Sequence, residues 1–203
     1  MRLRDPYHQA LAALSEFAGE GRFGSGMPLV ITRLAEELRL SPTPVREALA
    51  RLAGEGIIEH WPGRGYFALS LGATDIAELY DYHQRLVLWA IDLPIVATIE
   101  RPDMGEASPG GRLEQVFARV TARSGNRVLN RAYRLAAARL RPIRLVEAVA
   151  APLAPEVADR LEGLLEDNCI LEFKAAAVRY HEGRIRLAGS IAGAMRRSEQ
   201  SID

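Results

Sequence analysis

LSPTPVREALARLAGEGIIEHWPGRGYF, residues Leu40 to Phe67, is the stretch whose reading decides the fold. It combines the end of one helix, a turn, a second helix opened by Thr43-Pro44, and two strands around Pro62-Gly63-Arg64-Gly65. Thr43 has N-cap chemistry, because its hydroxyl can accept an orphan backbone N–H, and Pro44 has no N–H to lose at a first helical position. At roughly 100° per residue, Val45, Ala48, Leu49 and Leu52 fall on one narrow face and Arg46, Glu47, Ala50 and Arg51 on the other. One face therefore packs on a domain while the other presents Arg46 outward. Gly54 and Gly56 end this helix, Ile57-Ile58 starts a strand, and Tyr66-Phe67-Ala68-Leu69 returns, which leaves Arg64 at the hairpin tip. The order is that of a winged helix-turn-helix, a shape that places one helix in the major groove of DNA.

Extended upstream, the run LAEELRLSPTPVREALARLAGEGIIEHWPGRGYF resembles the DNA-binding domain of GntR-type bacterial transcription regulators. Their pattern runs roughly LA-x-x-L-x-VSRTPVREAL-x-RL-x-x-EGL-x-x-x-P-x-RG. Residues 10 to 69 share in the resemblance: Leu11, Leu14 and Phe17 fit a first helix, and a Gly-Met-Pro turn precedes Leu29. Pro42 departs from the pattern, standing where the family usually has an arginine that contacts DNA. The resemblance implies double-stranded operator DNA as partner and a mainly α protein, with an N-terminal winged helix-turn-helix over residues 1–71. On it, Arg46 would meet a base edge or phosphate, and Ser41, Thr43 and Pro44 a phosphate at the helix N-terminus. Arg64 and Gly65 would form the wing contact, and Thr32 and Arg33 would touch the flanking backbone.

Bulk properties fit this class without choosing it. A chain of 203 residues makes one or two domains with a real core. Its single cysteine, Cys169, permits no internal disulfide and suits a reducing compartment. No apolar N-terminal region suggests a signal peptide, and the longest apolar run, Leu86 to Ile99, is interrupted by Asp92 and Pro94. The expectation is a cytoplasmic protein with no membrane association. Net charge is zero, and residues 1–75 hold eight arginines against nine acids, so a DNA footprint must come from placement rather than from total charge.

Beyond Leu71 the texture becomes all-helical. Gly72-Ala73-Thr74-Asp75 reads as a hinge, followed by a helix over about 75–98, bent or broken near Pro94. A Pro- and Gly-rich loop over 100–111 follows. Further helices are expected at 112–123, 127–141 (closed by Pro142), 143–150, 155–181 and 184–198. Residues 75–203 are thus expected to form a helical bundle.

This half resembles, more loosely, the effector-binding and dimerising domain of the FadR-like (FCD) branch. The resemblance rests on Tyr80-x-x-x-x-Arg85-x-x-Leu88, Glu114-x-x-Phe117 and Ser124-Gly125-Asn126-x-x-Leu129. It implies a homodimer whose bundle holds a small organic acid, often beside a metal held by one aspartate and three histidines. Ala118, Glu114 and Ser198 stand where ligands are expected, and only His181 is a histidine, so neither a metal nor any other cofactor is expected here. Without one, Arg85, Glu114, Tyr133 and His181 are the candidate effector residues. Two further readings stay open: a constitutive DNA-binding dimer that has lost effector binding, and a small enzyme fused to a DNA-binding head. The second lacks any nucleophile–base or metal-ligand spacing.

Between Arg112 and Arg144 lie nine arginines and one acid, nine minus one, or +8. Arg127, Arg131, Arg134 and Arg141 share one helical face opposite Leu129, Tyr133, Ala136 and Leu140, which reads as a solvated face rather than an anion pocket. His181 reads as a helix-end histidine favoured by the dipole. Cys169 reads as a half-buried core thiol, and Tyr82 and Trp89 as core or dimer-interface residues.

Overall fold

The structure, a computed structural model, describes residues 5–96 and 109–200. The chain divides into two compact units. One holds the residues up to Leu71 and those from Met195 onward, and the other spans Gly72–Ala194.

In the first unit, α1 (Pro6–Gly19) is capped by Asp5, whose carboxylate accepts from the Tyr7 N–H at 3.1 Å. A short β1 (Pro28–Leu29), α2 (Ile31–Leu38) and α3 (Pro42–Gly54) follow, then β2 (Ile58–Trp61) and β3 (Gly65–Ala68). The strands form an antiparallel sheet in the order β1-β3-β2, with His60 opposite Tyr66 and Trp61 opposite Gly65. The buried face of α3 is Val45, Ala48, Leu49 and Leu52, the four residues its periodicity selects. They close over Ala10 and Leu14 of α1, Leu34 of α2, and Leu29 and Ile58 of the sheet.

In the second unit, α4 (Ala73–Asp92) starts where the Gly72 N–H donates to the Asp75 carboxylate at 2.8 Å. It ends two residues before Pro94, with Leu93 already extended at ψ 150°, as the residue before a proline clash requires. The expected helix to Thr98 is therefore shorter, and its last residues, 97–98, lie outside the described ones. Then come α5 (Pro109–Arg123), α6 (Arg127–Ala150), α7 (Pro155–Glu166) and α8 (Ile170–Gln200).

Four further expected boundaries are corrected. Helix α5 begins at Pro109, inside the expected loop 100–111, since proline suits a first turn and two following glycines are tolerated there; residues 100–108 lie outside the described ones. Helix α6 runs through Pro142 instead of closing at 141, because Ile143 and Glu147 beyond it are buried on the same face as Leu140. The expected helix 155–181 breaks at Asn168, which adopts a left-handed φ of 55°, while Cys169 N–H reaches back to the Leu164 carbonyl at 2.9 Å. Helix α8 then passes through Gly183 without the expected interruption.

Candidate nucleic-acid interface and the polar interior of the helical unit

The turn between α2 and α3 is set by Arg39, the left-handed cap of α2 at φ 55°, ψ 43°. Its N–H and that of Leu40 close back on α2 carbonyls, at 3.1 Å to Glu36 and 2.9 Å to Ala35. Side chains other than glycine, asparagine and aspartate seldom adopt this conformation. Arg39→Gly should therefore raise unfolding free energy by about 0.5–1 kcal/mol, the strain relieved less the added freedom of the unfolded chain. Urea denaturation would register it as a higher midpoint; an unchanged or lower midpoint would mean that the turn costs nothing. Arg39 is exposed, and sequence reasoning missed it because its backbone conformation leaves no mark in helical periodicity.

The start of α3 differs from the sequence reading. Ser41, not Thr43, is the N-cap, and the helix begins at Pro42. Ser41 makes no side-chain capping bond. An N-cap oxygen accepts from the second or third helical N–H, and the third residue here is Pro44, which has none. Prolines at the first and third positions leave the Thr43 N–H as the only backbone donor among the first three helical residues. The earlier start makes Arg46 the fifth helical residue. It is exposed, as are Ser41, Thr43, Thr32 and Arg33, while Pro44 is half-buried.

The wing tip has the pattern of a type II turn. Pro62 precedes Gly63 at φ 74°, and the Arg64 N–H donates to the Trp61 carbonyl at 2.9 Å. The exposed Arg64 guanidinium lies 5.0 Å from the Trp61 ring centroid, and Trp61 in turn packs at 5.3 Å on Phe67. An aromatic ring beneath a cation restricts its swing without neutralising it. Gly65 at φ 98° begins β3 just beyond this tip.

Ion pairing sorts the cations of this unit. Arg22 is held by Glu37 at 2.5 Å and Arg51 by Glu55 at 2.6 Å. Arg33, Arg46 and Arg64 make no ion pair among the described residues. With Arg39 at the α2–α3 turn, which likewise makes no ion pair among the described residues, they leave four unneutralised guanidiniums in the segment up to Leu71, so cationic sites exist here despite a net charge of zero.

The helical unit encloses a polar interior. The Tyr80 hydroxyl of α4 donates to the Glu147 carboxylate of α6 at 2.6 Å. Arg184 of α8 donates to the Ala151 carbonyl at 2.7 Å, with its guanidinium 4.0 Å from Glu147. Arg144 reaches the Glu114 carboxylate at 3.0 Å, and the Tyr133 hydroxyl donates to the Glu114 carbonyl at 3.1 Å. His83 Nδ1 and His181 Nε2 are 2.8 Å apart, and His181 Nδ1 lies 2.7 Å from the Ala177 carbonyl. That carbonyl can only accept, so His181 Nδ1 carries the proton and His181 Nε2 accepts from His83 Nδ1–H. His83 Nε2 is then left buried as an acceptor with no partner among the described residues. Burial, and then the Arg144 charge, hold His83 well below its ordinary pKa. Burial holds His181 down at about 4 against the pull of the Ala177 carbonyl. Burial pushes Glu147 upward, opposed by its bond from Tyr80 and by Arg184 and Arg144.

Glu114, Tyr133 and His181 thus share this interior, but Arg85 does not. It is exposed on α4 and paired with Asp81 one turn back at 2.7 Å. The expected helix-end setting of His181 is corrected: it is fully buried in the middle of α8. His83 and Arg144 were missed, since their burial depends on contacts 98 and 30 residues away in sequence. Among the described residues no group of three or more His, Cys, Asp or Glu is placed to hold a metal ion, and the Ser198 side chain lies outside them. The arginine run divides as well. Arg127, Arg131, Arg134 and Arg141 are exposed, whereas Arg112 and Arg119 pair with Asp159 and Glu162 of α7 at 2.5 and 2.9 Å. Among the described residues, no helix is long and apolar enough to cross a membrane.

A three-helix winged unit with unneutralised arginines, followed by a helical unit, has the architecture of the winged helix-turn-helix class. Residues 6–67 match the family of bacterial regulatory proteins, gntR family, which places the winged unit with the DNA-binding domains of that family. The chain is 29% identical over 182 residues to the Nta operon transcriptional regulator of Aminobacter aminovorans, covering 80% of this chain and 86% of that one. An HTH-type transcriptional regulator of Agrobacterium vitis is 32% identical over 83 residues, covering 38% of this chain and 48% of its own. The fold is shared with a crystallised GntR-type regulator from Rhodococcus sp. RHA1, at TM-score 0.73, 15% identity, and 90% and 96% coverage of the two chains. It is shared also with E. coli McbR/YncC, at TM-score 0.66, 19% identity, and 92% and 98% coverage.

Proposed function

We propose that the protein acts in the cytoplasm as a homodimer on an inverted-repeat operator, and that a small organic-acid effector bound in its FCD-like helical unit sets its DNA affinity. The observation that carries the DNA-reading part is the trio of exposed, ion-pair-free arginines on α2, α3 and the wing. Arg46 takes a base edge or phosphate, Arg64 with Gly65 the wing contact, and Ser41, Thr43 and Pro44 frame a phosphate at the helix N-terminus. Thr32 and Arg33 meet the flanking backbone.

Dimerisation is supported by the outer face of α4. Tyr82 and Trp89, two turns apart on one face, are 46% and 51% exposed, which is unusual for large aromatics on a bundle without a partner. They are therefore not core residues, which leaves the interface half of their sequence reading. A two-fold dimer places its recognition helices about one helical turn of DNA apart, roughly 34–36 Å. Light scattering at micromolar concentration should give twice the chain mass, with one dimer bound per operator. A monomer that binds single half-sites would overturn the dimer.

Glu114, Tyr133 and His181 support an effector role through their shared interior. One observation favours the constitutive alternative: the acids and hydroxyls of that interior already have partners, Glu147 in Tyr80, Glu114 in Arg144, and the Tyr133 hydroxyl in the Glu114 carbonyl.

A further inference from the structure

The helical unit has a second feature that its buried polar cluster does not explain. Helices α7 and α8 enclose an open groove of about 410 Å³, within the roughly 300–1,000 Å³ range of small-molecule sites. Its walls are apolar, with Leu153, Val157 and Leu161 on one side and Ala176 and Leu187 on the other. Three arginines, Arg160, Arg179 and Arg184, line it against one acid, Glu156. Arg160 and Arg179 are exposed and make no ion pair among the described residues. Arg184 is different: its side chain is only 8% exposed and lies 5.6 Å over the Tyr180 ring. The floor includes Gly183, where an added Cβ would meet nothing within 4 Å.

We propose that this groove is a binding site for an amphipathic anion, an apolar body on the leucine and valine walls with a carboxylate or similar head among Arg160, Arg179 and Arg184. An uncharged apolar ligand would leave the guanidiniums unpaired, and a small polar anion would leave the walls wet, so the lining selects molecules that carry both parts. Arg184 also ties the groove to the interior. The guanidinium that faces the ligand is the one that donates to Ala151 at the end of α6 and lies beside Glu147, which Tyr80 of α4 bonds in turn. Helix α4 is the element that follows the wing in the chain. A ligand head that draws on Arg184 therefore competes with contacts joining α8, α6 and α4, and it can shift the balance between arrangements only by this difference. The regulatory half of this inference rests on the ligand-responsive reading above.

Calorimetric titration of the full chain with octanoate, against octan-1-ol as its neutral match, tests it. Octanoate should bind at one per chain and at least about tenfold more tightly than octanol, as a charge-assisted contact to arginine implies. Arg160→Ala with Arg179→Ala removes only exposed, unpaired cations and should weaken octanoate by about tenfold or more. Gly183→Leu fills the floor and, because leucine is a better helix former, should keep or raise the melting temperature while octanoate binding is lost. No saturable binding at millimolar octanoate, or equal binding by wild type and Gly183→Leu, would overturn the site. Octanoate bound in the groove with operator affinity unchanged would leave the site standing and sink its regulatory role. An organic acid that shifts operator affinity equally in wild type and Gly183→Leu would do the reverse.

Discussion

Between pH 6.5 and pH 4, His181 alone is expected to withdraw about 3 kcal/mol of stability from the helical unit. Its imidazole is held neutral by burial, with a folded pKa of about 4 against an ordinary 6.5. Below pH 6.5 the unfolded chain takes up a proton that the folded chain refuses until pH 4. The stability is thus complete above pH 6.5 and drains away as pH falls through the folded value. His83, depressed in the same direction, adds to the loss. Glu147 acts the other way, because its raised pKa means that protonation relieves a buried charge. The charged and polar groups around the pair are Arg144, Asp81, Tyr80, Tyr133 and Tyr180, together with the Ala177 carbonyl. Urea midpoints from pH 7 to pH 4.5, compared between wild type and His181→Gln, isolate the histidine from the carboxylates. The variant should be weaker at pH 7 but lose less on acidification. Parallel curves would show that His181 does not titrate as its burial requires.

Phe117→Ala is expected to cost about 3–5 kcal/mol, the range for deleting a fully buried ring. Phe117 has no exposed surface, and its ring lies 5.3–6.4 Å from those of His83, Phe173, Tyr180 and His181. Those neighbours come from α4 and α8, so a collapse around the alanine would have to move two helices that are fixed elsewhere by ion pairs and capping bonds. In a unit of this size the loss lowers the melting temperature by roughly 10–20 °C. Calorimetry should show it in the transition of the helical unit, while the winged unit keeps its separate core of Leu14, Val45, Leu49 and Leu52. A cost below about 1.5 kcal/mol would mean that the interior repacks freely.

The winged unit was legible because its information is local. The four buried positions of α3, the Pro-Gly turn of the wing and the two-strand return lie within 28 residues, and each follows from helical periodicity or turn chemistry. What escaped was non-local or turned on a competition between rules. Pro142 breaks a helix on propensity, yet burial of Ile143 and Glu147 carries α6 through it. Gly183 suggested a helix boundary and Asn168 did not, although asparagine adopts the left-handed conformation and a helical glycine costs only about 1 kcal/mol. The helix N-cap moved from Thr43 to Ser41 because two prolines compete for the first turn. In the helical unit, charge counting saw an arginine run but not Asp159 and Glu162, which neutralise part of it from 47 and 43 residues away. The buried pairing of His83 with His181 has no sequence signature short of a knowledge of the packing.

The central claim is that α3 and the wing read DNA through arginines that the fold leaves without acidic partners. Its most direct test is the affinity of Arg46→Ala for an operator selected from random DNA by the wild-type protein. The account predicts a loss of about 1–3 kcal/mol, roughly tenfold to a hundredfold, with the circular dichroism unchanged because Arg46 supports no packing. Arg64→Ala should weaken binding more evenly across sequences and make the salt dependence shallower. Wild-type affinity in a folded Arg46→Ala protein would contradict the assignment of α3 as the reading helix.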